Sequence, residues 1–275
     1  MTPTQIELGK KLYFDPRLSK NNLTSCNTCH NLATGGTDGN PTAQARIYQP
    51  YLKNRNTPTT YNSIFNNIED WAGRAHLLTA SKEEQDPIIK KLAANPQYLH
   101  EFKKAYGNNI EITPKLIADT IAMFEATLIT PTRYDDFLLG NIKALSKQEQ
   151  EGLEIFINKG CASCHNGINL GGEEKNLDSI QGYNFSKMAK NGKVKIPTLR
   201  NITETMPYFH DGRFRNLSDA IKAMSPKDAP LSEEEVQKIR AFLETLVGAK
   251  PQIIYPILPS NPSEESIIRQ TKTKN

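Results

Sequence analysis

The sequence has no apolar run near the roughly 18 residues that a membrane-spanning helix needs. Its first residues, MTPTQIELGKKLYF, also lack the apolar core of a secretory signal peptide. Lysines are scattered rather than grouped although the net charge is +4, so no basic patch for nucleic acid is visible. Hydrophobic residues make up 37% of the 275 residues and charged residues 23%. We therefore predict a globular protein with no membrane span and no nucleic-acid partner.

Cysteine is scarce, because the chain has four and all of them lie in two short stretches, CNTCH and CASCH. Such spacing occurs in disulfides, zinc sites, redox dithiols and covalent haem c sites. A disulfide does not need the adjacent histidine, and a four-thiolate zinc site would leave both histidines unused. A thioredoxin-like dithiol would be expected near a βαβ pattern, which the sequence lacks.

Covalent haem c uses all three residues of each stretch, since the two thiols form thioethers with the haem vinyl groups and the histidine binds the iron. We therefore predict two haem c groups, one on Cys26, Cys29 and His30 and one on Cys161, Cys164 and His165. Haem c is attached outside the cytoplasm in bacteria. The cofactor thus predicts a periplasmic protein whose signal peptide is absent from this sequence.

Helix signals recur along the chain and predict an all-α fold. Three pairs have the spacing of a capping box, namely Thr4 with Glu7, Ser146 with Glu149, and Ser232 with Glu235. Thr113 followed by Pro114 is typical of an N-cap and first helical residue. Apolar residues one turn apart follow each of these starts, as expected for helices with one buried face.

The two halves share a layout of helix, short loop and haem motif, as in ELGKKLYFDPRLSKNNLTSCNTCH and EGLEIFINKGCASCH. This repetition predicts two cytochrome c-like domains, each with a covalently bound haem c, over residues 1–140 and 141–254. Residues 255–275 are polar and contain prolines, and are predicted to form an extended tail.

Several further stretches resemble the bacterial dihaem cytochrome c peroxidases, which include the MauG-like proteins. They are LGKKLYFDPRLS, RNTPTTYNSIFN, DWAGRA, CASCHNGINLGG, KIPTLRNITETMPYFHDG and KPQIIYPILP. The resemblance implies reduction of H2O2 to water with electrons from a small donor, a cytochrome c or a cupredoxin. It also implies a high-potential C-terminal haem held by a histidine and a methionine. Met224 matches that methionine, whereas His210 matches a histidine that does not bind iron.

The N-terminal haem is the peroxide-reducing one in the resembling family, and His30 would be its proximal ligand. Many members carry a second histidine that caps this iron, but the matching loop here, NPTAQARIYQPYLKN, has none. We therefore expect an iron that is open without reductive activation. His76, which follows WAGRA, is a candidate distal group. Glu83 and Glu84 are candidates for the acid–base residue, although KEEQ is also an ordinary helix-start charge cluster.

Two further roles are implied only by the resemblance. Trp71, the single tryptophan, matches a residue that carries electrons between the haems, with a core aromatic as the alternative. The side chain of Asn56 and the carbonyls of Thr205 and Pro207 match a Ca²⁺ site, and oxygen ligands suit this cation.

Two other functions stay open at the level of sequence. A non-enzymatic dihaem electron-transfer protein would explain why no distal glutamate motif can be aligned. A MauG-like oxidase acting on a protein substrate is less consistent with Met224, because such members hold the C-terminal iron with tyrosine. A homodimer also stays open.

Overall fold

The computed structural model describes residues 1–20, 22–43, 55–66, 82–176, 193–226 and 228–260, and for residues 82–84 the backbone alone. These ranges contain nine α-helices and one antiparallel pair of short strands. The helices are α1 (Pro3–Phe14), α2 (Cys26–Cys29), α3 (Lys82–Ala94), α4 (Pro96–Tyr106), α5 (Pro114–Glu125), α6 (Arg133–Leu138), α7 (Lys147–Asn158), α8 (Leu217–Ala223) and α9 (Glu233–Glu244). The strands are β1 (Glu174–Asn176) and β2 (Lys193–Lys195), paired with Glu174 opposite Lys195. None of the described helices has the length and apolarity needed to cross a membrane.

The chain divides into two compact units, each built from separate stretches of sequence. The first unit takes Met1–Cys26 with the described parts of His76–Glu125 and Ile254–Asn275. The second takes the described parts of Asn27–Ala75 and Ala126–Ile253. Helices α1 and α3 to α5 belong to the first unit, and α6 to α9 with both strands belong to the second. The predicted domains, residues 1–140 and 141–254, were defined by the sequence repeat, whereas the two units are defined by contacts. The predicted division therefore stays a prediction.

In the first unit, α1 and α5 approach each other closely at Gly9. A Cβ atom on Gly9 would overlap the carbonyl oxygen of Thr120, so only glycine permits this backbone contact. One turn further along each helix, the rings of Tyr13 and Phe124 meet edge to face at 5.3 Å. Both rings are buried, and this contact forms the centre of the unit's core.

The second unit repeats this arrangement between α7 and α9. A Cβ atom on Gly152 would overlap the carbonyl oxygen of Lys238. One turn further along, Phe156 and Phe242 bring their ring centroids within 5.4 Å. In both units the helix with the glycine is the one that precedes a CxxCH motif. The sequence repetition thus corresponds to a repeated way of packing two helices.

The predicted helix starts are confirmed at three of four positions. The side chain of Thr113 accepts a hydrogen bond from the backbone of α5 at 3.1 Å, and the boxes at Ser146 and Ser232 are both formed. The box predicted at Thr4 is wrong. Helix α1 begins two residues earlier, with Thr2 as N-cap and Gln5 completing the box, because Pro3 fits the first helical position and lets Thr2 take the cap.

The segment after residue 254 has no helix or strand as far as it is described, up to Ser260. It is nevertheless bound to the first unit. Arg17 donates to the Pro259 carbonyl at 2.8 Å, and Asn95 donates to the Ser260 carbonyl at 2.9 Å. The same guanidinium pairs with the fully buried carboxylate of Asp15 at 2.6 Å.

We predict that Gly152→Ala destabilises the protein by about 1–3 kcal/mol, because the added methyl group must push α7 away from α9. Alanine is otherwise the better helix former by roughly 1 kcal/mol, so the sign of the effect tests the close packing. Denaturant unfolding of the haem-loaded protein measures the free energy. Glu154→Ala, an exposed change on the same helix, is the control. Equal or greater stability of Gly152→Ala would contradict the packing described here.

Candidate functional site

The C-terminal CxxCH motif is placed by the end of α7. Gly160, at φ +80°, turns the chain out of the helix and into one 3-10 turn over Cys161–Ser163. The backbone amide of His165 then donates to the carbonyl of Cys161 at 2.9 Å. This hydrogen bond closes a tight turn that contains both thiols and the imidazole. None of the four cysteines, all of which lie in described ranges, forms a disulfide.

These groups line a cavity of about 460 Å3 within the second unit. Its volume falls in the range of roughly 300–1,000 Å3 that is typical of small-molecule and cofactor pockets. The wall contains Cys161, Cys164, His165 and Met224. Apolar side chains make up much of the remainder, among them Phe156, Val194, Ile196, Leu199, Ile221 and Leu243. Two thiols, an imidazole and a thioether around an apolar space fit a covalently bound haem.

The imidazole of His165 is in the state that a metal ligand requires. Burial lowers its pKa, with backbone carbonyls at Leu170 and Pro197 opposing this effect. Its Nδ1 lies 3.2 Å from the carbonyl oxygen of Leu170. Because a carbonyl can only accept, Nδ1 must carry the proton, which leaves the lone pair of Nε2 available for a metal.

Met224 lies where α8 ends. Asn216 caps the start of this helix by accepting from Ser218 at 2.8 Å, and the amide of Met224 closes its last turn at Ala220. The side chain is 40% exposed in total and lines the same cavity as His165. Such exposure is unusual for a methionine that serves only to fill a core. Ligation of iron by Met224 stays a prediction, now with the residue in a suitable place.

In the N-terminal motif, too, a backbone carbonyl faces Nδ1 of the histidine. Helix α2 is a single turn from Cys26 to Cys29, and Nδ1 of His30 lies 2.9 Å from the carbonyl oxygen of Pro58. Burial lowers the pKa of His30, and the Pro58 carbonyl and the charge of Asp38 oppose it. His30 is therefore also a neutral imidazole with its Nε2 lone pair available, as a proximal haem ligand requires.

The candidate distal residues are not described by the structure. Trp71 and His76 lie outside the described residues. Glu83 and Glu84 lie in the first turn of α3, but their side chains are outside the description. Their roles in electron transfer and acid–base chemistry stay predictions.

The three residues predicted to bind Ca²⁺ all line the wall of the cavity in the second unit. Asn56 is 8% exposed, and its side chain donates to the Asn40 carbonyl at 2.9 Å. Thr205 follows a 3-10 turn and Pro207 is buried two residues later. No group of three or more His, Cys, Asp or Glu suited to a metal occurs in the described ranges.

Sequence reasoning missed one residue of this wall, Lys195. It is 6% exposed and lies in β2 between Val194 and Ile196, which also line the cavity. Lysine is ordinarily a surface residue, so composition and periodicity predict exposure here. The one available signal was its position between two β-branched residues in KVKIP.

Comparison with known proteins identifies both halves of the chain. Residues 3–143 match the family model of di-haem cytochrome c peroxidase, and residues 149–247 match that of cytochrome c. Cytochrome c551 peroxidase of Nitrosomonas europaea is 40% identical over 92% of this chain and 83% of its own length. Cytochrome c551 peroxidase of Pseudomonas aeruginosa is 36% identical over 94% and 82%. These matches support two haem c groups, one at each CxxCH motif.

The fold agrees with a solved structure as well. A MauG-like protein associated with microbial copper homeostasis superimposes with a TM-score of 0.73, covering 90% of each chain at 23% identity. At that identity the likeness concerns the fold alone. The predicted fold class, two helical cytochrome c-like domains, is confirmed.

We predict that Met224→Leu leaves the C-terminal haem attached but lowers its reduction potential, because leucine cannot supply the thioether that favours reduced iron. The expected decrease is at least tenfold in the reduction equilibrium constant, about 59 mV for a one-electron couple. A spectroelectrochemical titration measures it. Met123→Leu, on α5 in the first unit, is the control. An unchanged potential in Met224→Leu would show that this methionine does not bind the iron.

Proposed function

The chain belongs to the di-haem cytochrome c peroxidase family, and we propose that it reduces H2O2 to two molecules of water with two electrons and two protons. The observation that carries this proposal is the cavity of the second unit, which Cys161, Cys164, His165 and Met224 all line. That set can close both faces of an iron. Such a site can pass electrons but offers no position for peroxide, so the reaction belongs at the other motif.

When bound, the two haem groups supply one-electron transfer and, where the iron has a free position, peroxide activation. The residues of this chain decide which site does which. The thioether of Met224 would hold the C-terminal iron together with His165 and would favour the reduced state. His30 holds the N-terminal site from one side, and the loop that carries a capping histidine in relatives has none in its sequence here.

The proposal also includes an electron donor, a route between the two haem sites and a cellular compartment. We propose that a small cytochrome c or cupredoxin gives electrons at the C-terminal site, and that Trp71 lies on their way to the N-terminal one. Proton transfer to the leaving oxygen needs an acid–base residue, for which Glu83, Glu84 and His76 are the candidates. Covalent haem c attachment supports a periplasmic location.

Calcium is a separate part of the proposal. The Asn56 side-chain oxygen and the carbonyls of Thr205 and Pro207 would supply hard oxygen ligands. In support of this, the three residues all line the same cavity. A Ca²⁺ ion there would stiffen the segment between Thr205 and Pro207, which also contributes to the haem cavity.

A non-enzymatic electron-transfer protein is the second candidate function. It is favoured by one observation, the lack of an alignable glutamate motif after the WAGRA stretch. Without an acid–base group, cleavage of the peroxide bond would be slower by about 10²–10⁴-fold. A MauG-like oxidase of a protein substrate is less consistent with Met224 in the cavity wall.

We predict rapid turnover of H2O2 both from fully oxidised protein and from half-reduced protein, because no histidine of the loop is present to cap the N-terminal iron. Steady-state peroxide reduction with a reduced small cytochrome c, started from each state, measures this. Turnover only after half-reduction would mean that another group caps the iron. Negligible turnover from both states would favour the electron-transfer protein instead.

A further inference from the structure

The loop that follows the C-terminal CxxCH motif contains a strained residue at the point where it meets His165. Leu170 has φ +46°, in the left-handed region that leucine rarely adopts. Its side chain is 5% exposed, and its carbonyl is the one facing Nδ1 of His165. A strained backbone persists only where its surroundings hold it, and such positions concentrate at functional sites.

A buried arginine holds one residue of this loop. The guanidinium of Arg200, 7% exposed, donates from Nε to the carbonyl of Ile168 at 2.5 Å. Its two terminal nitrogens donate to the carboxylate of Asp135 at 2.8 and 2.6 Å. This bidentate ion pair is of the strong, geometrically specific kind. It leaves the Nε–H group pointing at the loop.

Asp135 is itself fixed at the start of α6. Its carboxylate accepts from the amide of Thr132 at 2.7 Å and from the Thr132 hydroxyl at 2.9 Å. Burial raises the pKa of Asp135, but the hydrogen bonds and charge of Arg200, with those from Thr132, outweigh it and lower the pKa. The carboxylate is therefore charged at neutral pH and anchors the guanidinium.

The residue between Ile168 and Leu170 is held as well. The carbonyl of Asn169 accepts a hydrogen bond from the Thr198 hydroxyl at 2.8 Å. The side-chain amide of Asn169 donates to the Asn62 carbonyl at 2.9 Å. Consecutive residues of the loop are thus bound to separate elements of the same unit. The turn at Leu170 has no freedom to relax while these contacts last.

We propose that Arg200, anchored by Asp135, is a positioning residue for His165. It holds the Ile168 carbonyl, and through it the strained turn whose Leu170 carbonyl binds the imidazole. The inference rests on the proposed function in one respect, that His165 binds the C-terminal haem iron. Its consequence is a tuned reduction potential at that site, since a histidine that donates to a carbonyl is a more basic ligand.

Arg200→Lys tests this directly, because lysine keeps the charge but cannot bind Asp135 and Ile168 with one planar fork. Asp135→Asn is the second variant, in which Arg200 keeps its bond to the loop but loses its charged anchor. We expect both to raise the potential of the C-terminal haem, because a loosened turn weakens the hydrogen bond to His165. The expected shift is about tenfold in the reduction equilibrium constant for Arg200→Lys, about 59 mV, and smaller for Asp135→Asn.

Arg133→Lys is a matched control on α6, the helix that also contains Asp135. Arg133 pairs with Glu149 at 2.8 and 3.2 Å and donates to the Ala144 carbonyl at 2.9 Å, but it contacts no residue of the haem loop. The N-terminal haem of each variant is an internal control. Potentials and low-spin electron paramagnetic resonance signals of both haems are recorded in the absence of peroxide.

A selective upward shift at the C-terminal haem in both variants, with new signal positions there and none in Arg133→Lys, supports the proposal. An unchanged C-terminal haem in either folded variant overturns it, and so does an equal shift of both haems, which indicates general loosening. Peroxide turnover of the unaltered protein separates the two conclusions. An inactive parent with shifted variants contradicts the proposed function alone, whereas an active parent with unshifted variants contradicts this inference alone.

Discussion

Each CxxCH histidine must keep the lone pair of Nε2 free while its ring is held in one orientation. In both motifs a backbone carbonyl does this by accepting from Nδ1, Pro58 for His30 at 2.9 Å and Leu170 for His165 at 3.2 Å. Burial keeps both rings neutral. The loops that carry these two carbonyls are therefore as much a part of the sites as the histidines.

The helices that precede the two motifs also pack against their partner helices in the same way. Gly9 and Gly152 let the helix before each motif touch the backbone of a partner helix, and aromatic rings close the contact one turn later. Close-packed interiors have low compressibility, and at the C-terminal site the CxxCH turn follows α7 after Lys159 and Gly160. The repeated packing does not distinguish the two halves, so the difference between the two sites must come from residues outside it.

That difference lies in what faces the second side of each iron. Met224 at the end of α8 lines the cavity of His165, and the proposed ligation of the iron by both residues would leave no free position at the C-terminal site. At the N-terminal site the sequence offers no loop histidine. The proposed division, with one closed site for electron transfer and one open site for peroxide, is one that a repeated fold can support through changes of single residues.

Local sequence determined the haem motifs, the helix starts at Thr113, Ser146 and Ser232, and the repeated halves, because each depends on residues a few positions apart. Tertiary structure decided what depends on distant contacts. The burial of Lys195, the Leu170 strain and the Asp135–Arg200 pair join positions far apart in the chain, and no local pattern encodes them. The start of α1 was also determined locally, although the prediction missed it. Thr2 and Thr4 both suit a cap, and the proline between them decided for Thr2.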